Sequence, residues 1–309
     1  MSNRKTILVL GDVMLDQWVY TDFQKVSQET KVAINKVTKI YSEIGGAGNA
    51  ARVTKYITGD EIILMGVIGK DSNGDLLNSF LKNEGIEGTL FVDSRRQTTS
   101  KIRIYSGADP IVRIDDESTL EVGKEIEVNV LAEIRNLIPK LDGILFSDYG
   151  KGFLTKSLIR EVLAISKEFK IPVVADPAKN RVMEFRGCDI IKPNNFEWLS
   201  FVSQNSPDRK NWNSILACPL VVVTKSEYGM DYYENGILNS IPGVSVKASD
   251  ITGAGDSAAA VLISGLLREM DSRKLISAAN EIASLFVTFE RTEFPEDVAQ
   301  EFFNRTIFE

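Results

Sequence analysis

The 309-residue sequence contains no histidine, which removes both the commonest general base and the commonest transition-metal ligand. Acid–base chemistry must therefore fall to carboxylates, lysine, tyrosine or cysteine. Cysteine is nearly absent too. Cys188 and Cys218 stand far apart with no C-x-x-C pattern, so a disulfide or thiolate metal site has little support and both are expected as small buried apolar residues. No G-x-x-x-x-G-K-[ST] segment occurs, which argues against a Walker-type phosphate loop. The opening MSNRKTILVLGD carries an apolar stretch too short for a signal peptide and far too short to cross a bilayer, so a cytoplasmic protein with no membrane partner is expected. An excess of positive charge is also missing. The 36 Lys+Arg against 43 Asp+Glu leave a net charge of -7, the wrong sign for holding nucleic acid by electrostatics alone. No linker rich in Pro, Gly or Ser, no internal repeat and no low-complexity tract divides the chain.

What is present reads as a globular α/β chain, with 43% apolar and 26% charged residues. TILVLGD (Thr6 to Asp12) is a continuous apolar run ending in Gly-Asp, as expected of a strand buried on both faces whose C-terminal end opens into a site. Similar runs recur at Ile62–Gly69, Gly143–Asp148, Pro172–Pro177, Asp189–Asn194 and Pro219–Ser226. Between them lie stretches such as Ser157–Phe169, where apolar residues return every three or four positions. Strand and helix alternate, which predicts a doubly wound, mainly parallel sheet with helices on both faces. Val19–Tyr41 and Gln97–Asp115 break the rhythm as short, alternating β-branched strands without helices between them. A small sheet is expected there, covering the site as a lid or pairing with a second copy, because one apolar face cannot stand alone.

The strongest local signal is Asp250–Leu267, DITGAGDSAAAVLISGLL, in which a Gly-rich turn enters an Ala-rich helix. Gly253, Ala254 and Gly255 would let backbone N–H groups face outward at a helix N-terminus, where a transferring phosphoryl group is favoured. Asp256 would adjoin that anion hole as a proton acceptor. The local pattern fits equally an Asp that only charges the first helical turn. GAGNAA at 46–51 also matches the loose dinucleotide fingerprint G-x-G-x-x-A, but the first buried strand ends at Gly11-Asp12, well before these glycines.

D-x-T-G-A-G-D resembles the C-terminal signature of the ribokinase-like (PfkB) carbohydrate kinases, and GGAGNAA at Gly45–Ala51 resembles their N-terminal glycine-rich signature. The resemblance covers nearly the whole chain and implies one ribokinase-like domain over residues 1–309, with lid strands within about 17–44 and 96–116. It implies an ATP-dependent kinase using Mg²⁺, with Asp256 as the catalytic base and the amides of Gly253, Ala254, Gly255 and Asp256 as the anion hole. Asp12 and Asp16, bracketing the turn after the first strand, together with Asn49, would grip sugar hydroxyls. Gly45, Gly46 and Gly48 would contact the sugar and act as a hinge. Asn194 and Glu197 of PNNFE resemble the family's divalent-metal segment, and also read as a helix cap with a capping box. Thr224, Lys225 and Gly229 resemble the nucleotide loop. Asn280 would border the base, although an ordinary polar helix position fits it as well.

Within the family, LVLGDVMLDQWVY, TTSKIRI, LFSDYGKGFLTKSLI and VVADPAKNRVMEFRGCDIIKPNNFE look most like the heptose 7-phosphate kinases, which phosphorylate the C1 hydroxyl. A phosphorylated acceptor needs fixed cations, and Lys101, Arg103, Arg113, Lys151 and Lys179 are the candidates; solvated surface charge is the alternative for each. KVSQETKVAINKV departs from the subgroup's Ser-Pro-Glu-x-Pro stretch, and SGADPIV lacks its paired Gln, so another sugar or sugar phosphate stays open. A catalytically silent sugar sensor on the same fold and an NAD oxidoreductase are the readings from other classes. Any partner for nucleotidyl transfer is expected to be a separate protein, and a homodimer through the lid strands is expected from their exposed edges.

Overall fold

The apolar run at the N-terminus forms β1 (Thr6–Gly11), and after Asp12 the chain enters two long strands, β2 (Val13–Val26) and β3 (Ala33–Gly46). There follow α1 (Ala47–Thr58), β4 (Glu61–Ile68), α2 (Ser72–Asn83) and β5 (Glu87–Val92). A second strand pair, β6 (Ser100–Ser106) and β7 (Asp109–Asp116), leads to α3 (Lys124–Leu137), β8 (Gly143–Ser147), α4 (Lys156–Phe169), β9 (Val173–Asp176) and β10 (Ile190–Ile191). The rest comprises α5 (Asn195–Gln204), α6 (Trp212–Leu216), β11 (Leu220–Thr224), β12 (Met230–Glu234), β13 (Ile237–Ile241), α7 (Ala254–Leu266) and α8 (Ser272–Phe286). This computed structural model describes residues 4–205, 211–249, 252–289, 300–301 and 303–305. The first two residues of the DITGAGD signature, Asp250 and Ile251, lie outside them.

The main sheet runs β13-β12-β11-β10-β9-β8-β1-β4-β5, parallel from β11 to β5 and antiparallel where β12 meets β11 and β13. Alternation along β1 explains the two-faced core. Ile7 and Val9 pack with α1, α7 and α8 on one face, whereas Leu8 and Leu10 pack with α3 and α4 on the other. Each helix presents its apolar stripe to one of these faces. In α4 the Thr155 hydroxyl accepts from the Leu158 amide to start the helix, and Leu158, Ile159, Val162 and Ile165 are buried at helical spacing. From β1 the chain builds outward to β4 and β5, then returns to place β8 on the other side. The crevice between the C-terminal ends of β1 and β8 is the topological switch point, where α/β sheets bind ligands. Asp12 and Asp148 stand at those two ends.

The second sheet has the order β3-β2-β6-β7. Two details differ from the sequence expectation. β2 and β3 are 14 residues each rather than short, because they pair antiparallel along their length with two register shifts that bend the ribbon. Asp16 lies inside β2, 4% exposed, and not on a turn, because only Asp12 separates β1 from β2. Three strands of the main sheet, β5, β12 and β13, escaped the search for continuous apolar runs: the edge strands β5 and β13 carry Gly, Thr and Asn, and β12 mixes Asp and Glu among its buried residues. Cys188 and Cys218 are buried, and burial pushes the Cys218 thiol up to about 12. Among the described residues no helix is long and apolar enough to cross a membrane.

Candidate active site

The glycine-rich turn folds as its composition suggests. Gly253 takes φ +89°, and a Cβ there would meet the Phe286 ring at 2.9 Å, so the residue before α7 must be glycine. The amides of Ala254, Gly255 and Asp256 fall in the first turn of α7, where no carbonyl of the helix reaches them. A helix of 13 residues adds the positive end of its dipole at the same place. Gly253 through Asp256 all line a cleft of about 870 Å³. Asp256 is 6% exposed at its end.

Asn49 and Tyr149 both donate to this carboxylate. Asn49 Nδ2, from α1, donates to Oδ2 at 2.5 Å, and the Tyr149 hydroxyl, from the loop after β8, donates to Oδ1 at 3.1 Å. Asn49 is itself fixed: Arg52 donates to its Oδ1 at 3.0 Å, and Arg52 pairs with Glu43 of β3 at 3.3 Å, which also accepts from Tyr41 at 2.9 Å. A chain of polar contacts thus links Asp256 to the small sheet.

Asp12 has a different role from Asp16. Its two oxygens accept from the backbone amides of Tyr149, Lys151 and Phe153 at 3.0, 2.9 and 3.1 Å, so Asp12 pins the loop that carries Tyr149. Asp16 pairs with Arg103 at 2.7 Å, and the Arg103 guanidinium lies over the Trp18 ring. A Cβ on Gly45 would fall 2.0 Å from Asp16 Oδ2, and one on Gly46 would fall 2.3 Å from the Asp12 carbonyl, which explains both glycines. Gly48 leaves the same kind of room for Ile44. Register places Asp16, Lys101, Arg103, Arg113 and Asp115 on one face of the small sheet. Lys101 pairs with Asp115 at 3.1 Å and with Glu117 at 3.4 Å, while Lys151 reaches the same Glu117 oxygen at 2.6 Å. These contacts hold the carboxyls of Asp115 and Glu117 below the usual range. Among the described residues Arg113 pairs with Asp115 alone, and it is mostly exposed.

The other end of the cleft is formed by Thr224, Gly229, Val244, Val246, Asn280 and Val287. Gly229 adopts φ +90° beside the Ile241 carbonyl, and Asn280 donates to the Pro242 carbonyl at 3.0 Å, which together shape this wall. The Lys225 ammonium is turned to Asp231 at 2.9 Å and does not border the cleft. Lys179 does border it, with its ammonium 4.4 Å from the Phe196 ring centre. Asn194 and Glu197 line the cleft and form a reciprocal capping box at the start of α5, with bonds of 2.9 and 2.8 Å.

Four residues near the site carried no role in the sequence reading. Lys192, 2% exposed, pairs with Asp176 at 2.9 Å inside the cleft, and its Nζ lies 3.6 Å from where a Cβ on Gly255 would be. Burial pushes the Asp176 carboxyl up to about 6 against the pull of Lys192, and burial also raises Glu197. Asp148 and Tyr149 complete the set. Three of the four end, or directly follow, the same parallel strands that singled out Asp12, so the strand-end rule extended to β8, β9 and β10 would have found them. Tyr149 had no such signal beyond its place in LFSDYGKG. Oxygen donors on Asn194, Glu197 and Asp176 suit Mg²⁺, a hard cation that keeps waters and leans on phosphates. Among the described residues no three His, Cys, Asp or Glu side chains form a preformed cage.

Known proteins identify the lineage of the chain. The model of the pfkB family carbohydrate kinases matches residues 4–298. The "Bifunctional protein HldE" of Bradyrhizobium sp. (strain ORS 278) is 32% identical over 294 residues, covering 91% of this chain and 60% of that protein. The protein of the same name from Geobacter metallireducens is 34% identical over 265 residues, covering 82% of this chain and 54% of its own length. The chain therefore spans a little over half of these curated relatives. Among solved structures, the tetrameric inhibited form of phosphofructokinase-2 from Escherichia coli superposes with a TM-score of 0.75 at 15% identity, covering 98% of this chain and 99% of that one. A putative phosphofructokinase from Staphylococcus aureus gives 0.73 at 18%, with 96% and 95% covered. At those identities the solved structures establish the fold, and the family match with the 32–34% relatives establishes the lineage. The chain is a member of the PfkB family of carbohydrate kinases, phosphotransferases that act on a hydroxyl acceptor.

Proposed function

We propose that the chain transfers the γ-phosphoryl group of ATP to the C1 hydroxyl of a heptose 7-phosphate, with Asp256 as the base. The observation that carries the reaction type is the juxtaposition of a buried carboxylate with three helix N-terminal amides at the end of a nucleotide-sized cleft. ATP lies along the cleft with its base toward Thr224, Gly229 and Asn280 and its phosphates toward Gly253–Asp256. Asn194, Glu197 and Asp176 hold Mg²⁺, which when bound offsets charge on the phosphates. The sugar enters from the small-sheet side, where Asp16, Asn49 and the glycines Gly45 and Gly46 contact it. Asp256 accepts the acceptor proton as the hydroxyl oxygen bonds to the γ-phosphorus and ADP leaves. The amides of α7 stabilise the transferring group.

The heptose assignment rests on the subgroup's segments in this sequence and on the curated relatives being proteins named HldE. Lys101 and Lys151, converging from two elements on one anion, are where a substrate phosphate would be neutralised. The small sheet acts as a lid, and its outer face joins a second copy in a cytoplasmic homodimer. ADP release with Mg-ATP should be read across sedoheptulose 7-phosphate, manno-heptose 7-phosphate, fructose, fructose 6-phosphate and ribose, with Asp256→Asn as control. Turnover confined to a heptose 7-phosphate, reduced about 10²- to 10⁴-fold in the variant, is expected. Turnover on another sugar alone would keep the kinase and remove the heptose. Sugar binding without turnover would point to a sensor.

A further inference from the structure

Asn49 and Tyr149, both donors to Asp256, are built differently. Asn49 is buried on a helix and braced by Arg52 and Glu43, and it does not border the cleft. Tyr149 is 38% exposed, stands on a loop, and borders the cleft at its Asp256 end. An acceptor oxygen must come within about 2.6–3.2 Å of a carboxylate oxygen to deliver its proton. The Tyr149 hydroxyl oxygen, 3.1 Å from Oδ1, already stands at that range on the cleft side. The backbone beneath it is pinned, because the amides of Tyr149, Lys151 and Phe153 are all bound by Asp12. Gly150 and Gly152, at φ +67° and +86°, fix the turn around them. What can move is the ring, by rotation about its own side-chain bonds. Tyr149 borders the cleft, which Asp12, Asp16, Gly45, Gly46 and Asn49 do not line, and its amide and hydroxyl tie it to both Asp12 and Asp256.

We infer that Tyr149 is a gate on the base: its hydroxyl holds the acceptor position at Asp256 against water and yields it to the sugar hydroxyl. The inference rests on the kinase reading with Asp256 as base. A kinase whose base is open to solvent wastes ATP. Water oxygen bonds to the γ-phosphorus, the bond from that phosphorus to the β,γ-bridging oxygen breaks, ADP leaves with the electron pair, and the water proton passes to Asp256. A phenol that already donates to Asp256 fills the place from which this water would start. The sugar hydroxyl, delivered with the rest of the sugar's contacts, can displace it; a lone water cannot.

The test is sugar-free ADP and phosphate release from Mg-ATP, compared between wild type, Tyr149→Phe and the double variant Tyr149→Phe/Asp256→Asn. Removing only the hydroxyl should raise sugar-free hydrolysis about tenfold or more, and the double variant should abolish the rise. Wild type and Tyr149→Phe should melt within a few degrees of each other, and Tyr149→Phe should still phosphorylate the acceptor. A Tyr149→Phe enzyme that phosphorylates the acceptor yet hydrolyses ATP no faster than wild type overturns the gate. So does a variant slowed on the acceptor with unchanged hydrolysis, since Tyr149 would then only orient the base. The kinase reading fails separately, by a wild type that turns over no sugar or an Asp256→Asn variant as active as wild type, and the gate falls with it.

Discussion

Asp148 ends the same loop junction that carries Tyr149, and its side chain has no exposure to solvent. Oδ1 accepts from the Gly150 amide at 2.9 Å and from Arg181 at 3.0 Å, whereas Oδ2 has no hydrogen-bond partner among the described residues. Burial pushes this carboxyl up to about 7 against the pull of Arg181, and the charge on Asp12 adds to the rise. The native state therefore keeps a proton that the unfolded chain releases near its ordinary value of 3.8. Between those two values the unfolded state binds fewer protons, so stability falls as pH rises through the window from about 4 to about 7. Asp176, raised to about 6, works in the same direction over the lower part of the window. Asp71, Asp93, Asp115 and Glu117, all held low, work oppositely, and their contribution is lost only as pH falls below about 4. The melting temperature should thus decline from pH 5 to pH 7.5, and Asp148→Asn should flatten most of that decline. The slope is the readout, because the substitution also weakens the Arg181 contact. An unchanged slope in Asp148→Asn would reassign the proton.

At the scale of elements, the sequence was most legible where one strand or one helix start carries the chemistry. TILVLGD, the five other runs that became β4, β8, β9, β10 and β11, and the Gly253–Asp256 turn could be read because burial on both faces and positive φ each demand particular residues. The contact of Asn49 with Asp256 could not, since 207 residues separate them and nothing in either segment names the other. Nor could the charge pattern of Lys101, Lys151 and Glu117, which exists only once β6 and the loop after β8 meet. The start of α5 is the opposite case: PNNFE states both a capping box and a metal ligand set, and the fold realises the first. Glu197→Gln separates the two roles. Glutamine can still accept the Asn194 amide bond, so the helix start survives and stability should fall by less than about 1 kcal/mol. Loss of the charge should raise the Mg²⁺ concentration needed for half-maximal activity about tenfold or more. A variant that melts early while keeping its Mg²⁺ dependence would leave Glu197 as a cap alone.

The two faces of the small sheet decide what the whole molecule does with it. One face turns Asp16, Arg103 and Lys101 toward the site, and strand alternation then forces Gln17, Val19, Ile40, Ile102, Ile104, Val112 and Ile114 onto the other. Where this second face meets the body, Leu15 and Ile44 are buried in the core. Farther out no described residue covers it, and Ile40, Val112 and Ile114 are 61%, 48% and 48% exposed. A continuous apolar row on a four-stranded sheet is costly to leave in water, at roughly 1.5–3 kcal/mol for each large side chain that could be buried. The occupant proposed above is the same face of a second copy, because a self-complementary β-branched row can pack on its two-fold mate. Wild type should therefore sediment as a dimer at micromolar concentration. Ile114→Asp places a charge in the middle of the row and should yield a monomer, since an unpaired carboxylate buried between apolar faces costs several kcal/mol. Because the same strands carry Asp16 and Lys101, the monomer should bind its sugar more weakly while its ATP affinity changes little. A wild-type chain that stays monomeric at tens of micromolar would remove the dimer, and equal sugar affinity in dimer and monomer would separate the lid from the interface.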